Sequence, residues 1–334
     1  MYGGLAACVL LLGIFTRPVS GSRGDASSPY RSCVGKCIKE LSCPDHMQSC
    51  GWSGECFGCR YDCMWKAVDI FIEKERPIPQ FHELPGGIQF QEPASFIFSL
   101  LNFCGFLVFF RQIRKMRGLE NARVWTMYSV IGLITWLCSA IFHARDCWVT
   151  EYLDYFSAFG FILFHTRLIV SNYLVDAFCV WICNGFVVRG SHISYDGEVY
   201  AVFGCSHVFI LVIISLLVSV KINQRSFQKL FDYGYNMSVC LGVSAFTTIM
   251  YVLFIVGRWY QFNRLSPSDY MMIKIMIWTN CSVLLETLDF VPLFWTIDAH
   301  SLFHAATIPL PIYVGMYLRR HLEENEYVRL SKNV

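Results

Sequence analysis

The sequence predicts an all-α membrane protein, a seven-transmembrane helix bundle that follows an N-terminal disulfide-rich lumenal module. Hydrophobic residues make up 55% of the 334 residues and charged residues only 16%, whereas about a quarter of the residues are charged in a soluble domain. Apolar stretches about 20 residues long, the length of a membrane-spanning helix, recur through the chain. A cluster of cysteines precedes the first of them. The formal net charge of +2 excludes the broad basic surface that nucleic-acid binding requires.

Residues 1–21 are predicted to be a signal peptide. An apolar run from Leu5 to Phe15 is followed by the small residues Val19-Ser20-Gly21-Ser22, which suit signal peptidase cleavage. No Lys or Arg precedes the run, so an uncleaved anchor is the alternative. The run is too short to cross a bilayer, which favours the signal peptide.

Residues 22–92 are predicted to form the lumenal module. A cysteine-dense segment behind a signal peptide enters an oxidising compartment and is typical of a small module held together by disulfides. The number of cysteines is odd, so one thiol is left over and the pairing stays open. Zinc bound at Cys56-x-x-Cys59 is the alternative, but no second Cys-x-x-Cys accompanies it. The cysteines are Cys33, Cys37, Cys43, Cys50, Cys56, Cys59 and Cys63.

Residues 93–320 are predicted to contain the seven membrane spans. The apolar segment after Tyr155 is interrupted by polar residues and is long for one span, which leaves a count of eight open. The distribution of basic residues among the loops favours seven spans. The predicted spans are Ala94 to Phe110, Val124 to Phe142, one starting at Tyr155, Val199 to Val220, Met237 to Val256, Tyr270 to Val291 and Ala299 to Leu318.

The loop after the first span is basic and therefore cytosolic by the positive-inside rule, which places the cysteine module in the lumen. An odd number of spans then keeps the tail, residues 321–334, in the cytosol beside Arg319 and Arg320. A basic segment around Arg225 falls in a predicted lumenal loop and is the exception to the rule. The basic residues of the first loop are Arg111, Arg114, Lys115, Arg117 and Arg123.

Two polar pairs at helical spacing mark the candidate site: Ser139-x-x-x-His143 and His300-x-x-x-His304, with Asp154 at the start of the third span. Residues four apart lie on the same face of a helix. Ionisable side chains inside a membrane are costly and usually functional. The predicted orientation brings all five groups to the lumenal rim of the bundle.

These residue types suit a catalytic zinc ion. Zinc takes three imidazoles, here His143, His300 and His304, and keeps a fourth position for water, whose pKa it lowers to about 7. Asp154 is the candidate general base for that water, and Ser139 is a candidate donor to the oxyanion that forms when an ester or amide carbonyl is attacked. The site then belongs to a hydrolase.

Each of these residues also has a structural interpretation. A histidine at the end of a span often only forms hydrogen bonds at the interface, and Ser139 could pack or bond to its own helix. Asp154 and Asp298 could cap helix N-termini. Glu286 and Asp289 are candidates to orient the histidines, as the ligands of a metal require, or else contact water at a helix end.

The five site residues resemble the signature of the CREST superfamily of seven-span metal hydrolases, which includes alkaline ceramidases and the progestin and adiponectin receptors. Within it the chain resembles the Per1-like family. The resemblance also places Glu92 and Asn102 near the position of a second cation in ceramidases. The stretches similar to the family are residues 56–65, 79–82, 91–95, 142–146, 231–236, 288–290, 292–295 and 298–300.

The resemblance implies an enzyme of phospholipase A2 type, embedded in the Golgi membrane or alternatively that of the endoplasmic reticulum. Such an enzyme removes the sn-2 acyl chain from the GPI lipid of anchored proteins, which are then its partners. Two alternatives stay open. One is a non-catalytic receptor or lumenal folding factor with the same fold, and the other is a ceramidase-like amide hydrolase.

Overall fold

The computed structural model describes residues 24–44, 54–79, 81, 92–119, 121–169, 233–286, 288, 290, 292–294 and 296–332. The predicted signal peptide, the predicted fourth span, Cys50 and Asp289 lie outside the described residues. Within these ranges the regular secondary structure is helical, apart from one isolated antiparallel bridge between Leu293 and Ile297. The predicted all-α class is confirmed.

Nine helices are described, and they are numbered here in chain order. They are α1 (Ser28–Glu40), α2 (Gly54–Glu73), α3 (Pro93–Lys115), α4 (Ala122–Ala144), α5 (Trp148–Ile169), α6 (Tyr233–Phe262), α7 (Pro267–Leu285), α8 (Ala299–Thr307) and α9 (Leu310–Lys332).

The cysteine-rich module is a pair of helices, α1 and α2, joined by three disulfides. The disulfides confirm the predicted use of the cysteines, and both sulfurs of Cys56-x-x-Cys59 are consumed by them, which removes the zinc alternative. Tyr30, Val34 and Val68 form a small apolar core between the two helices. The pairs are Cys33–Cys63, Cys37–Cys59 and Cys43–Cys56.

The module contacts the segment that follows α4. Arg60, which is buried, donates to the Tyr30 hydroxyl at 3.1 Å, and its guanidinium lies 3.9 Å from the buried Asp146 carboxylate. The neighbouring Arg145 places its guanidinium 5.0 Å from the centre of the Phe57 ring, within the range of a cation–π interaction. The module is therefore attached within a few residues of His143.

Four described helical segments are long and apolar enough to cross a membrane: Pro93–Lys115, Ala122–Ala144, Met237–Tyr260 and Ala299–Glu324. They correspond to the predicted first, second, fifth and seventh spans. Helices α5 and α7 occupy the predicted third and sixth positions without meeting that criterion. The chain is thus a helical membrane protein, and the count of seven spans remains a prediction.

Two predicted spans differ in their ends from the observed helices. Helix α7 ends at Leu285 rather than near Val291, because the N–H groups of Glu286 and Leu288 bond to carbonyls three residues back and the helical ladder stops. The last span is interrupted between Thr307 and Leu310. Pro309 has no N–H to donate, so it removes a bond from the helical ladder there.

The chain divides into two compact units. The described residues of 24–158 and 277–332 form one, which contains the cysteine module and every predicted site residue. In this unit α3 packs against α4, α8 and α9. A Cβ atom at Gly105 would lie 3.0 Å from the Ile308 carbonyl oxygen, so the glycine permits the close helix contact that small residues allow in membranes.

The second unit contains the described residues of 159–169 and 233–276. Its polar contacts join helices through their side chains: the Thr166 and Thr247 hydroxyls are 2.7 Å apart. Arg258 forms an ion pair with the buried Asp269 at 3.0 Å. None of the predicted site residues lies among the described residues of this unit.

Candidate metal centre

Three imidazoles from α4 and α8 converge on one point. The Nε2 atoms of His143 and His300 are 3.4 Å apart, and those of His300 and His304 are 2.9 Å apart. One ligand atom from each ring lies within 4.8 Å of the other two. His143 and His304 are almost completely buried. The structure therefore brings together all three histidines that the sequence pattern predicted to bind zinc.

The N-terminal cap of α8 fixes where the helix begins and thereby orients its two histidines. Asp298 caps this helix: its carboxylate accepts from the Ser301 N–H at 2.8 Å, while the Ser301 hydroxyl accepts from the Asp298 N–H at 2.9 Å. This capping box begins the helix at Ala299. His300 and His304 then stand one turn apart on one face. The capping interpretation of Asp298 holds.

In two of the three imidazole rings, a carboxylate lies beside Nδ1, the nitrogen that points away from the centre. The Nδ1 atom of His143 lies 2.6 Å from Glu92 Oε2, and that of His300 lies 2.8 Å from Glu286 Oε2. An ionised carboxylate only accepts hydrogen bonds, so a carboxylate beside Nδ1 favours the tautomer with the hydrogen on Nδ1 and the lone pair on Nε2. Glu286 therefore contacts the histidine that it was predicted to orient.

The third ring is held by neutral groups from α3. The Ser99 hydroxyl lies 3.0 Å from His304 Nδ1. The Asn102 side chain donates to the His304 carbonyl at 2.7 Å and to the Phe98 carbonyl at 2.9 Å. Trp136 meets the His304 ring edge to face, with 5.3 Å between ring centres. The His304 ring is thus held by contacts from both α3 and α4.

The structure also places Ser139 and Asp154 beside the histidines, and both are buried. Asp154 lies within electrostatic range of His143 and His300 and close to Ser139. The Ser139 hydroxyl lies 3.2 Å from that of Ser99. Asp154 stands more than one turn inside α5, which begins at Trp148, so its predicted alternative as a helix cap is wrong.

Ser99 was not identified from the sequence, although a signal for it exists. Glu92, Ser95, Ser99 and Asn102 follow one another at spacings of three and four along the start of an apolar span. Such spacing puts them on one face of the helix. We call these four residues the polar stripe of α3. Only Glu92 and Asn102 were noted, through a resemblance to ceramidases, because each small polar residue by itself is also typical of helix packing.

The donor set fits a zinc ion. Imidazole Nε2 atoms this close repel unless a hydrogen or a metal ion lies between them, and a metal ion can satisfy all three lone pairs at once. Two nitrogens bound to one tetrahedral zinc at its usual bond length are about 3.3 Å apart, close to the observed 2.9 and 3.4 Å. The other cluster of potential ligands among the described residues, Cys37, Cys59 and Cys63, is consumed by disulfides.

These features define a class: helical membrane proteins with three histidines around one buried centre. The chain belongs to the Per1-like family, whose sequence model matches residues 44–322. That match begins directly after Cys43, the third cysteine of the module, and covers every residue of the candidate centre.

Relatives with known names are similar in sequence to this chain over nearly its whole length. The "GPI-specific phospholipase A2-like PGAP3" of Danio rerio is 31% identical and that of Homo sapiens is 30% identical, covering 92% and 94% of this chain and 91% and 94% of their own lengths. The "Post-GPI attachment to proteins factor 3" of Drosophila melanogaster is 32% identical over 92% of this chain and 91% of its own. No solved structure matches the chain.

Proposed function

We propose that this protein is a metal-dependent acyl-ester hydrolase of phospholipase A2 type that acts on the lipid of GPI-anchored proteins. One observation supports the chemistry above all: three Nε2 atoms face one another while each Nδ1 lies beside a polar group outside the centre. This is how metal-binding histidines are usually held, with the second nitrogen bonded to an outer group that fixes the ring.

His143, His300 and His304 hold the ion in this proposal. When bound, zinc lowers the pKa of a coordinated water to about 7 and polarises a carbonyl oxygen. Glu92 and Glu286 keep the first two rings in the required tautomer and raise their basicity as ligands. The chemistry of the donor set favours zinc over magnesium or calcium, which prefer oxygen ligands.

Asp154 and Ser139 perform the proton chemistry. Asp154 is the general base, which takes a proton from the attacking water and returns it to the leaving alcohol of the ester. Ser139 is close enough to Asp154 to hold it in place. Its hydroxyl becomes free to turn toward the oxyanion once Asp154 is protonated, because a neutral carboxyl group can donate back to the Ser139 oxygen.

The names of the relatives support the proposed substrate, since two are called GPI-specific phospholipase A2-like and one a post-GPI attachment factor. Apolar side chains on the outer faces of the helices, such as Ile97, Met127 and Phe156, are exposed. They suit a protein surrounded by lipid, where a GPI lipid can approach within the bilayer. We propose the Golgi membrane as the compartment, with GPI-anchored proteins as partners.

The test is an assay of purified full-length protein in lipid nanodiscs, with release of fatty acid from GPI lipid and from ceramide measured by mass spectrometry. The wild type is expected to release fatty acid from GPI lipid, and His304→Gln to lose this activity by at least about 100-fold. His165→Gln, a half-buried histidine of the other unit whose ring lies near Tyr251, is the matched control and is expected to retain it.

Other outcomes contradict the proposal in defined ways. Release of fatty acid from ceramide alone would identify an amide hydrolase instead. Absence of both activities in a wild type that binds GPI lipid would favour a receptor or folding factor. Full activity after exhaustive removal of metal by a chelator would exclude the proposed mechanism.

A further inference from the structure

The Ser99 hydroxyl, near the start of α3, lies within hydrogen-bond distance of three polar groups. Its oxygen lies 2.7 Å from the Ser95 carbonyl, 3.0 Å from His304 Nδ1 and 3.2 Å from the Ser139 hydroxyl. Ser99 has no exposed surface. Water therefore cannot substitute for the contacts that the serine makes.

The distribution of hydrogens at this oxygen follows from its partners. A serine hydroxyl has one hydrogen and two lone pairs. The Ser95 carbonyl can only accept, and it is the nearest partner, so the Ser99 hydrogen points to it. The oxygen of Ser99 then accepts the Nδ1 hydrogen of His304, which leaves the His304 Nε2 lone pair directed at the other two imidazoles.

We infer that Ser99 is a positioning residue of the metal centre, which sets the tautomer and ring orientation of His304. This inference rests on the proposed metal-dependent function. It gives α3 and the residue immediately before it, neither of which supplies a metal ligand, a part in holding two of the three histidines: Glu92 lies against His143, and Ser99 holds His304.

The hydroxyl also suits the charge of the site. Glu92, Glu286 and Asp154 are three buried carboxylates around one centre, and their combined charge exceeds that of one divalent ion. A fourth carboxylate at position 99 would add a buried charge without a partner, which is costly. A neutral acceptor orients the third imidazole without that cost.

A packing role is the competing explanation, because small residues let membrane helices approach. Ser95 separates the two explanations. It lies on the same helix one turn earlier and is also fully buried, but its hydroxyl has no hydrogen-bond partner among the described residues. Replacement of either serine by alanine removes the same atom, so a difference between the two variants reports the hydrogen bond to His304.

The experiment uses the purified full-length protein in detergent. Zinc affinity is measured by competition with a chromogenic chelator, and the visible spectrum of the cobalt-substituted protein reports ligand geometry. Ser99→Ala is expected to bind zinc about 10- to 100-fold more weakly than the wild type and to show a changed cobalt spectrum. Ser95→Ala is expected to match the wild type in both, and Ser99→Thr to recover most of the affinity.

Zinc affinity and a cobalt spectrum that are the same in Ser99→Ala and Ser95→Ala would overturn the role of Ser99 and leave the proposed function intact. If the wild type itself binds no stoichiometric zinc, the proposed function fails and this inference fails with it. Should Ser99→Ala not fold, Ser99→Gly removes the same hydroxyl and is judged by the same comparison.

Discussion

Glu92 is bound to His143 through both its side chain and its backbone. Its Oε2 atom lies 2.6 Å from His143 Nδ1, and its N–H donates to the His143 carbonyl at 3.1 Å. Glu92 immediately precedes α3, and His143 lies in the last turn of α4. The start of one helix is therefore tied to the end of the next at the metal centre.

Glu92→Gln is expected to weaken zinc binding about 10- to 100-fold while the protein stays folded, because the amide keeps the shape but is a poorer acceptor for the imidazole hydrogen. Zinc affinity by chelator competition is the measurement. Asp269→Asn is the matched control: it alters a buried carboxylate whose partner is Arg258 rather than a histidine. Equal zinc affinity in Glu92→Gln and the wild type would contradict the assignment.

Asp154→Asn is expected to reduce kcat for fatty-acid release by about 100- to 10,000-fold, the usual contribution of a general base, because an amide cannot take the proton. The zinc content should stay at the wild-type level, since Asp154 is not a ligand in this proposal. Metal analysis on the same preparation separates the two effects. Loss of zinc together with activity would instead make Asp154 a ligand.

Removal of the Cys33–Cys63 disulfide by the double change Cys33→Ser, Cys63→Ser is expected to lower the free energy of unfolding by about 2–5 kcal/mol, because the link constrains the unfolded chain. Thermal unfolding in detergent checks this. Cys104→Ser and Cys281→Ser, which replace exposed free cysteines, should leave the unfolding temperature unchanged. A similar shift in all of these variants would contradict the prediction.

The ion pair between Arg60 and Asp146 is expected to couple the cysteine module to the rim of the metal centre. In a double-mutant cycle of Arg60→Met and Asp146→Asn, the coupling energy should be about 0.5–3 kcal/mol, as for buried residues in contact. Arg320, an exposed residue paired with Glu323, supplies the control. Arg60→Met and Arg320→Met should add within about 0.5 kcal/mol. If the effects of Arg60→Met and Asp146→Asn on stability simply add, the module is held by other contacts.

The three histidines proposed to bind the metal were predictable because their signal is local. His300 and His304 are four residues apart, and helical geometry alone puts them on one face. The cysteine composition predicted disulfides for the same reason, since a high density of cysteines in one short segment can be recognised without knowledge of the fold. The pairing of Cys33 with Cys63 was not predictable, because seven cysteines allow many arrangements and only the packing of α1 on α2 selects one.

The partners of the histidines needed the tertiary structure. Ser99 and His304 are 205 positions apart, and Glu286 meets His300 across the break between α7 and α8. A periodic pattern within one helix carries no information about contacts between residues on different helices. The sequence alone determined which helix faces are polar and which residue types can bind a metal, because these follow from 3.6 residues per turn and from side-chain chemistry. Only the packing of α3 against α4 and α8 decided which polar face meets which imidazole, because that choice depends on the fit of whole helices.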